Sequence, residues 1–168
     1  MALTFHGHIT IMYFTVLETP HVVVGAAIAT QVSNPFLAIP LAFGSHFVLE
    51  RIPHWNPHLN TEKNKNGKVS KQTTIIVAAD VALSLVLGFY IASRVLPDTA
   101  HFYTIIAACF FSVLPDVVEG PYFFLDINNP YIKKWIKMQK SIQNDTTVIP
   151  GLLTQFVTII AAFWWIAG

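Results

Sequence analysis

The long apolar runs of this chain constrain its fold more than any other feature. One of them, from Thr73 to Leu96, holds a single charge deep inside it, Asp80. About 20 consecutive apolar residues are enough for a helix to cross the hydrocarbon core of a bilayer. Hydrophobic residues make up 54% of the chain and charged residues only 11%, whereas soluble domains have about 25% charged residues. The sequence therefore predicts an all-α protein that crosses a membrane several times.

Prolines and short polar breaks divide the chain into about five such helices. The first two are shorter than a full span, so we expect a short or tilted helical hairpin over residues 20–52. We assign the whole chain, residues 1–168, to one transmembrane helical domain. The predicted helices cover residues 20–33, 36–52, 73–96, 99–115 and 150–167.

The first predicted helix has a recognisable start. Thr19 suits the N-cap, and Pro20 suits the first helical position, where a missing N–H costs nothing. Gly25 and the alanines near it form a small face that permits close helix contact in lipid. Residues 1–18 could form an interfacial helix or lengthen this one. Two histidines lie in that stretch, His6 and His8.

A basic amphipathic stretch follows Asn129-Pro130. Ile132, Trp135 and Ile136 share one face, and we expect this helix to lie on an anionic membrane leaflet. We expect residues 53–72 to form a second basic segment, a solvated loop. Two spans separate these segments, so both can face the cytoplasm, as lysine-rich loops prefer. The lysines of the amphipathic stretch are Lys133, Lys134, Lys137 and Lys140.

The charge and cysteine content exclude several classes of partner and site. The formal net charge is +1 and the basic residues do not form one face, so a nucleic-acid partner is not expected. The lone cysteine, Cys109, excludes an internal disulfide and a cysteine-based metal site. The partner we expect is membrane lipid, possible also as a substrate, and the sequence does not fix the oligomeric state.

His46, Glu50 and His54 are spaced four residues apart at the end of the second predicted helix. This spacing puts all three on one face of a helix. Imidazole and carboxylate together are ligands that divalent metals such as zinc prefer. The alternative is that Glu50 pairs with Arg51 or water while the histidines reach lipid headgroups.

The predicted topology brings further polar residues to the same leaflet. His21 begins the first helix there, and Asp116 ends the fourth. Asp80 and His46 lie at a similar depth, roughly 10 Å inside. An ionisable residue within a span is costly unless it is paired or hydrated, although Asp80 could also serve as a hydrogen-bonding group between helices or a proton carrier. The predicted metal ligands are His21, His46, Glu50, His54, Asp80 and Asp116.

Two neighbouring residues have weaker claims. Glu119 lies in the polar segment beyond Asp116, and solvation is the simpler interpretation of its position. His58 lies beyond Pro57, off the helix, where it is better placed to touch a substrate than a metal.

These residues stand in motifs that resemble those of the small membrane-bound metal-dependent hydrolases, over residues 19–120. The pair His46-x-x-x-Glu50 is also similar to the pairs that hold zinc in zinc-dependent phospholipase C. Glu50 stands where the family pattern has Asp, and the His-Arg-Gly…Thr-His-Ser motif of larger relatives is absent. The matching motifs are Thr19-Pro20-His21, Ser45-His46-Phe47-Val48-Leu49-Glu50-Arg51-Ile52-Pro53-His54-Trp55, Asp80 and Leu114-Pro115-Asp116.

The resemblance implies a hydrolase that holds one or two divalent ions, zinc above all. We expect it to cleave a phosphoester of a lipid or lipid-linked substrate at the cytoplasmic leaflet of a bacterial-type inner membrane. Glu50, His54 and Asp116 are the candidate catalytic residues. Two alternatives remain: a small proton-coupled transporter that uses Asp80 and His46 as a relay, and a non-catalytic membrane protein whose helices a metal staples together.

Overall fold

The computed structural model describes residues 18–168, and this part of the chain is a bundle of helices without a β-strand. The predicted all-α helical bundle is confirmed. The alternatives given for the N-terminal stretch concern residues 1–17, His6 and His8 among them, which lie outside the described residues. The helices are α1 Thr19–Gln31, α2 Pro35–Leu49, α3 Leu59–Asn66, α4 Lys71–Ser93, α5 Thr99–Val117, α6 Gly120–Phe124, α7 Pro130–Ile142 and α8 Val148–Ala167.

Helix α1 lies at the centre of the bundle, where it contacts α2, α4, α5 and α8. Its small residues let these neighbours approach closely, as the sequence predicts. A Cβ atom added at Gly25 would lie 2.8 Å from Cβ of Ser112 on α5. Ala26, Ala27 and Ala29 are completely buried. The middle of α1 therefore lies within the bundle, against α5.

Three helices, α4, α5 and α8, are long and apolar enough to cross a membrane, and α2 is a shorter apolar helix. Large side chains cover their outer surfaces, including Val86 and Phe89 on α4 and Phe156 and Trp164 on α8, all more than half exposed. Such surfaces suit a lipid environment and fit an integral membrane protein. Helix α1, with 13 residues, is enclosed by its neighbours instead.

The segment 53–72, for which the sequence predicts a solvated loop, contains a helix, α3. Gly67 ends α3 in the left-handed conformation, with φ of 73°, which glycine adopts without strain. Glu62 then accepts hydrogen bonds from N–H of Ser70 at 2.8 Å and from the hydroxyl of Thr73 at 2.7 Å. These bonds tie α3 to the first turn of α4.

The predicted basic amphipathic helix is present as α7, and its four lysines are exposed. Part of the face that the sequence assigns to lipid packs on protein. Ile136 is buried, and the indole N–H of Trp135 donates to the carbonyl of Pro115, 3.0 Å away. The ring of Phe47 lies 6.3 Å from the Trp135 ring. Helix α7 is thereby fixed across the ends of α2 and α5.

The segment after α2 is held by the C-terminal part of the chain. His54 pairs with residues 144–146 through two backbone hydrogen bonds: its N–H donates to Asn144 and its carbonyl accepts from Thr146. From α8, Gln155 donates to the carbonyl of Trp55 at 3.0 Å. A Cβ atom at Gly151 would lie 2.5 Å from the Trp55 nitrogen, so only glycine permits this approach. These contacts fix the position of His54.

Candidate metal centre

Side chains from three helices meet at one end of the bundle. His21 of α1, His46 of α2 and Asp116 of α5 each offer a ligand atom, and these atoms lie within 4.8 Å of one another. The two imidazole rings are stacked, with centroids 4.4 Å apart. Both histidines are buried, whereas the Asp116 side chain is 31% exposed. Three of the six predicted ligands therefore come together.

The hydrogen bonds of His46 fix its tautomer. Its Nδ1 lies 2.9 Å from the carbonyl oxygen of Ser112, which can only accept, so Nδ1 carries the hydrogen. The other ring nitrogen, Nε2, then presents a lone pair. This is the arrangement in which a second hydrogen bond orients a metal-binding histidine.

The lone pair of His46 faces further acceptors. Nε2 lies 3.2 Å from Oε1 of Gln139 and 3.7 Å from Oδ2 of Asp116. Gln139 cannot be turned round, because its amide nitrogen donates to Asp116 at 2.9 Å and to Glu119 at 2.8 Å. Three acceptor atoms therefore converge: Nε2 of His46, Oε1 of Gln139 and Oδ2 of Asp116. A cation or an additional proton is needed to stabilise them.

The distances fit a divalent metal. Two ligands bound to one tetrahedral zinc ion lie about 3.4 Å apart, given zinc–nitrogen and zinc–oxygen bonds of about 2.0–2.2 Å. The 3.7 Å between His46 and Asp116 is close to that separation. Two imidazoles and one carboxylate are also a donor set that zinc accepts. The residues present therefore fit such an ion after small side-chain movements.

Glu50 and His54 lie beside this group. Oε1 of Glu50 is 3.4 Å from Nε2 of His21 and 3.5 Å from Nε2 of His54. The sequence predicts His54 on the same helical face as His46, but α2 ends at Leu49. His54 reaches Glu50 instead through the backbone pairing described above, and its Nε2 accepts a hydrogen bond from Asn56.

Asp80 has a different environment from the one the sequence predicts for a ligand. It is buried, and its carboxylate accepts hydrogen bonds from the Thr19 hydroxyl at 2.7 Å and from the backbone N–H of Glu18. The predicted N-cap role of Thr19 is wrong, because its hydroxyl donates to α4 and Glu18 occupies the N-cap. Asp80 thus anchors the start of α1 to α4, outside the group of three.

The structure adds Glu18 to the site, a residue for which the sequence predicts no role. Its Oε2 is buried and receives no hydrogen bond from residues 18–168. Burial, then the charges of Asp116, Asp80 and Glu50, raises the pKa of Glu18 well above its usual range. The available signal is spacing, since residues three apart on a helix share a face and Glu18 precedes His21 by three.

Glu119 and Gln139 also belong to the site. Glu119 follows Asp116 by three residues, and burial raises its pKa to about 7. Its side chain is partly buried and accepts a hydrogen bond from Gln139, which solvation, the simpler sequence interpretation, does not include. Gln139 had no signal in the sequence, because a neutral amide on a basic helix resembles any other surface residue.

A cavity of about 170 Å³ opens beside these carboxylates. The acidic residues that line it are Glu18, Glu50, Asp116, Glu119 and Asp145, and exposed His58 lines it as well. A second hollow of about 440 Å³ adjoins it and shares Asn60, Ile136 and Lys140 with it. Val77, Phe123 and Phe124 also line the first hollow, and Tyr122, Lys133 and Lys137 line the second.

One end of the bundle thus contains three side chains that could hold a metal, His21, His46 and Asp116. The buried pair Glu50 and His54 and an accessible cavity lie beside them. Compared with protein-family models, curated proteins and solved structures, the chain matches none of them, so any function assigned to it rests on the site itself.

Proposed function

We propose that this protein is a membrane-embedded hydrolase that depends on a divalent metal, zinc by preference, and cleaves a phosphoester of a lipid or lipid-linked substrate. The observation that carries the proposal is the convergence of His21, His46 and Asp116 within 4.8 Å. Asp116 also lines a cavity large enough to admit part of a substrate. A bound divalent ion lowers the pKa of water towards neutrality and neutralises charge on phosphoryl oxygens.

The residues around the ion have separate tasks. Ser112 holds the His46 ring so that Nε2 points to Asp116. Glu50 is the candidate general base, since it lies against His21 and lines the cavity. Burial raises the pKa of Glu50, although His54 and His46 oppose that effect, and a carboxylate with a raised pKa is a stronger base. Nε2 of His54, 3.5 Å from Glu50, can receive the proton that Glu50 removes if it gives up the hydrogen bond that it accepts from Asn56.

The cavity walls support a lipid substrate. Val77 belongs to α4, one of the candidate spans, and with Phe123 and Phe124 it makes one wall apolar. Lysines 133, 137 and 140 line the adjoining hollow, where they can attract a phosphate group. A headgroup could then enter the site while its acyl chains remain in the bilayer. The lysine-rich segments favour the cytoplasmic leaflet of a bacterial-type inner membrane.

The proposal is tested by metal content and turnover together. Detergent-purified protein is analysed for bound metal and assayed on phospholipids and lipid phosphates in mixed micelles. We expect stoichiometric metal and hydrolysis in the wild type, and loss of both in His46→Ala and Asp116→Asn. Asp98→Asn is the matched control, because Asp98 caps the other end of α5, about 27 Å away at the rise of an α-helix, and Asn also caps helices. Metal-free wild type, or turnover unchanged in both site variants, rejects the proposal.

A purely structural metal is the second candidate. The three ligands come from three different helices, so an ion would clamp α1, α2 and α5 together. In that case chelation lowers the unfolding temperature, and no substrate is turned over by protein shown to contain metal. If hydrolysis is lost on chelation and returns when metal is added back, a purely structural role of the metal is excluded.

A further inference from the structure

We propose that the hollow of about 440 Å³ beside α7 is a discrete binding site for the phosphate headgroup of an anionic membrane lipid. We call it the lysine hollow, after Lys133, Lys137 and Lys140, which line it. None of the three possible metal ligands lines it. The inference therefore goes beyond the proposed hydrolase, because the lipid would bind whether or not the protein holds a metal.

The side chains around the lysine hollow have the chemistry of an anion site. Three of the described residues that line it are lysines, and none of them is acidic. The adjoining cavity, by contrast, is lined by several carboxylates. Lysine ammonium groups are compact charges that bind phosphate. The other lining residues are Asn60, Tyr122 and Ser141, whose side chains can hydrogen-bond, and the apolar Ile136.

Two of the three lysines have no acidic partner in the part of the chain that the structure describes. Lys140 is paired with Asp145, whereas neither Lys133 nor Lys137 forms an ion pair with any of residues 18–168. Lys133 and Lys137 are four residues apart on α7, so they lie on the same helical face and their charges repel each other. An anion bound between them would remove this repulsion.

Tyr122 of α6 holds Lys133 at the hollow. Nζ of Lys133 lies 5.7 Å from the centre of the Tyr122 ring, within the range of a cation–π interaction. Nζ of Lys63 lies 5.1 Å from the same ring, but Lys63 is paired with Asp126. The charge that remains available to a ligand is therefore that of Lys133, and the ring orients it before a ligand binds.

The lysine hollow lies at the depth where lipid headgroups are expected. The indole N–H of Trp135 ties α7 to the carbonyl of Pro115, near the end of the candidate span α5. Large apolar side chains are exposed between α6 and the first turn of α7, where Leu125 is 69% and Tyr131 81% exposed. Lysines beside exposed apolar residues are typical of a surface that contacts anionic lipid. A lipid phosphate could thus occupy the hollow while its acyl chains stay in the bilayer.

The test measures lipid binding to metal-free protein. Full-length protein in detergent is delipidated, treated with a chelator and titrated with phosphatidylglycerol or phosphatidylcholine, and native mass spectrometry counts the lipids retained. Both lipids carry a phosphate, but only phosphatidylglycerol has a net negative charge. We expect one phosphatidylglycerol per chain, bound more tightly than phosphatidylcholine. Lys133→Gln and Lys137→Gln should each weaken phosphatidylglycerol binding about fivefold, since each removes one charge near the headgroup.

Lys134→Gln is the matched control. It makes the same change of charge on the same helix, next to Lys133, but Lys134 does not line the hollow. This variant should bind phosphatidylglycerol as tightly as the wild type. An equal loss in Lys134→Gln, or wild-type affinity in both Lys133→Gln and Lys137→Gln, overturns the site.

Inorganic phosphate tests the other source of the same chemistry. Its binding to the delipidated protein is measured by calorimetry in phosphate-free buffer. We expect weaker binding than for phosphatidylglycerol, because inorganic phosphate has no acyl chains to contact the apolar surface. If it binds as tightly as phosphatidylglycerol and displaces it, the lysine hollow is a site for free phosphate and the assignment to lipid is wrong.

The outcomes separate this inference from the proposed function. Phosphatidylglycerol that binds through Lys133 and Lys137 to a protein without metal or hydrolytic activity supports the lysine hollow and rejects the hydrolase. Metal-dependent hydrolysis by a protein whose lipid binding is the same in the wild type and both lysine variants rejects the lysine hollow, while the hydrolase stands.

Discussion

The backbone carbonyl of Ser112 accepts a hydrogen bond from Nδ1 of His46, 2.9 Å away, and this bond joins α5 to α2 at the centre of the site. It fixes the tautomer of His46 and turns Nε2 towards Gln139 and Asp116. The same turn of α5 lies against Gly25 of α1. The packing of three helices and the orientation of one imidazole therefore depend on each other.

Gln139→Leu tests whether the amide on α7 holds the carboxylates in place. Leucine keeps most of the side-chain volume but removes both hydrogen bonds, to Asp116 and Glu119. Loss of a residue that orients metal ligands lowers metal affinity by about 10- to 100-fold. Titration with a competing chelator measures the change, and Gln72→Leu, at an exposed position, should bind like the wild type. Wild-type affinity in Gln139→Leu contradicts the role given to this amide.

Gly25→Ala tests the close approach of α1 and α5. The added Cβ would lie 2.8 Å from Ser112 and 3.0 Å from the carbonyl of Ala108, so the helices must separate. Overpacking of this kind costs about 1–3 kcal/mol. Gly44→Ala is the matched control, since nothing lies within 4 Å of its added Cβ. Alanine is the better helix former by about 1 kcal/mol, so Gly44→Ala should be neutral or stabilising. Thermal unfolding in detergent compares the two, and equal unfolding temperatures contradict the prediction.

Asp80→Asn separates the structural role of Asp80 from the ligand role that the sequence predicts. We expect a lower unfolding temperature, because charge-assisted hydrogen bonds of about 1.5–3 kcal/mol each to Thr19 and Glu18 are weakened. We expect the bound metal to be retained, since Asp80 lies outside the group of three ligands. Elemental analysis of the folded variant checks this. If the folded variant instead contains less metal per chain than the wild type, Asp80 is a metal ligand.

Glu62→Gln tests the bonds between α3 and α4 through their pH dependence. Hydrogen bonds from Thr73 and Ser70 lower the pKa of Glu62 in the folded protein. A lowered folded-state pKa stabilises the fold above the unfolded-state value, about 4.3 for Glu, and the stabilisation is lost as the pH falls through the folded-state value. The variant should therefore unfold at a lower temperature near neutral pH, and the difference should vanish in acid. Lys65→Gln, on the same exposed helix, should keep the wild-type pH profile. If the difference in unfolding temperature between Glu62→Gln and the wild type is the same at every pH, these hydrogen bonds do not depend on the charge of Glu62.

The sequence predicted the bundle and the meeting of His21, His46 and Asp116 for a physical reason. Long apolar runs have few ways to satisfy their backbone in a membrane, and the positions of the lysine-rich loops along the chain predict which helix ends lie together. These two constraints act over whole segments and do not depend on side-chain detail.

The roles of Asp80, Glu18 and Gln139 depend on such detail. Asp80 has the burial of a ligand, but Thr19 occupies its carboxylate, and no helical pattern shows which partner a buried acid will take. Glu18 lies at the N-cap, where its backbone and side chain have different neighbours. Gln139 acquires its function only because Ile136 and Trp135 fasten α7 to the bundle.

The pairing of residues 50–54 with residues 144–146 also bears on how the protein folds. Asn144 donates from its side chain to Arg51, 93 residues earlier, and from its backbone to the carbonyl of Glu50. Contacts between positions this far apart in sequence form slowly, since a long loop must close first. During synthesis, Glu50 and His54 lack these backbone contacts until the segment before α8 has emerged. The placement of Glu50 and His54 is therefore completed late in folding, and a chain that stops before this segment lacks the backbone contacts that place these two residues.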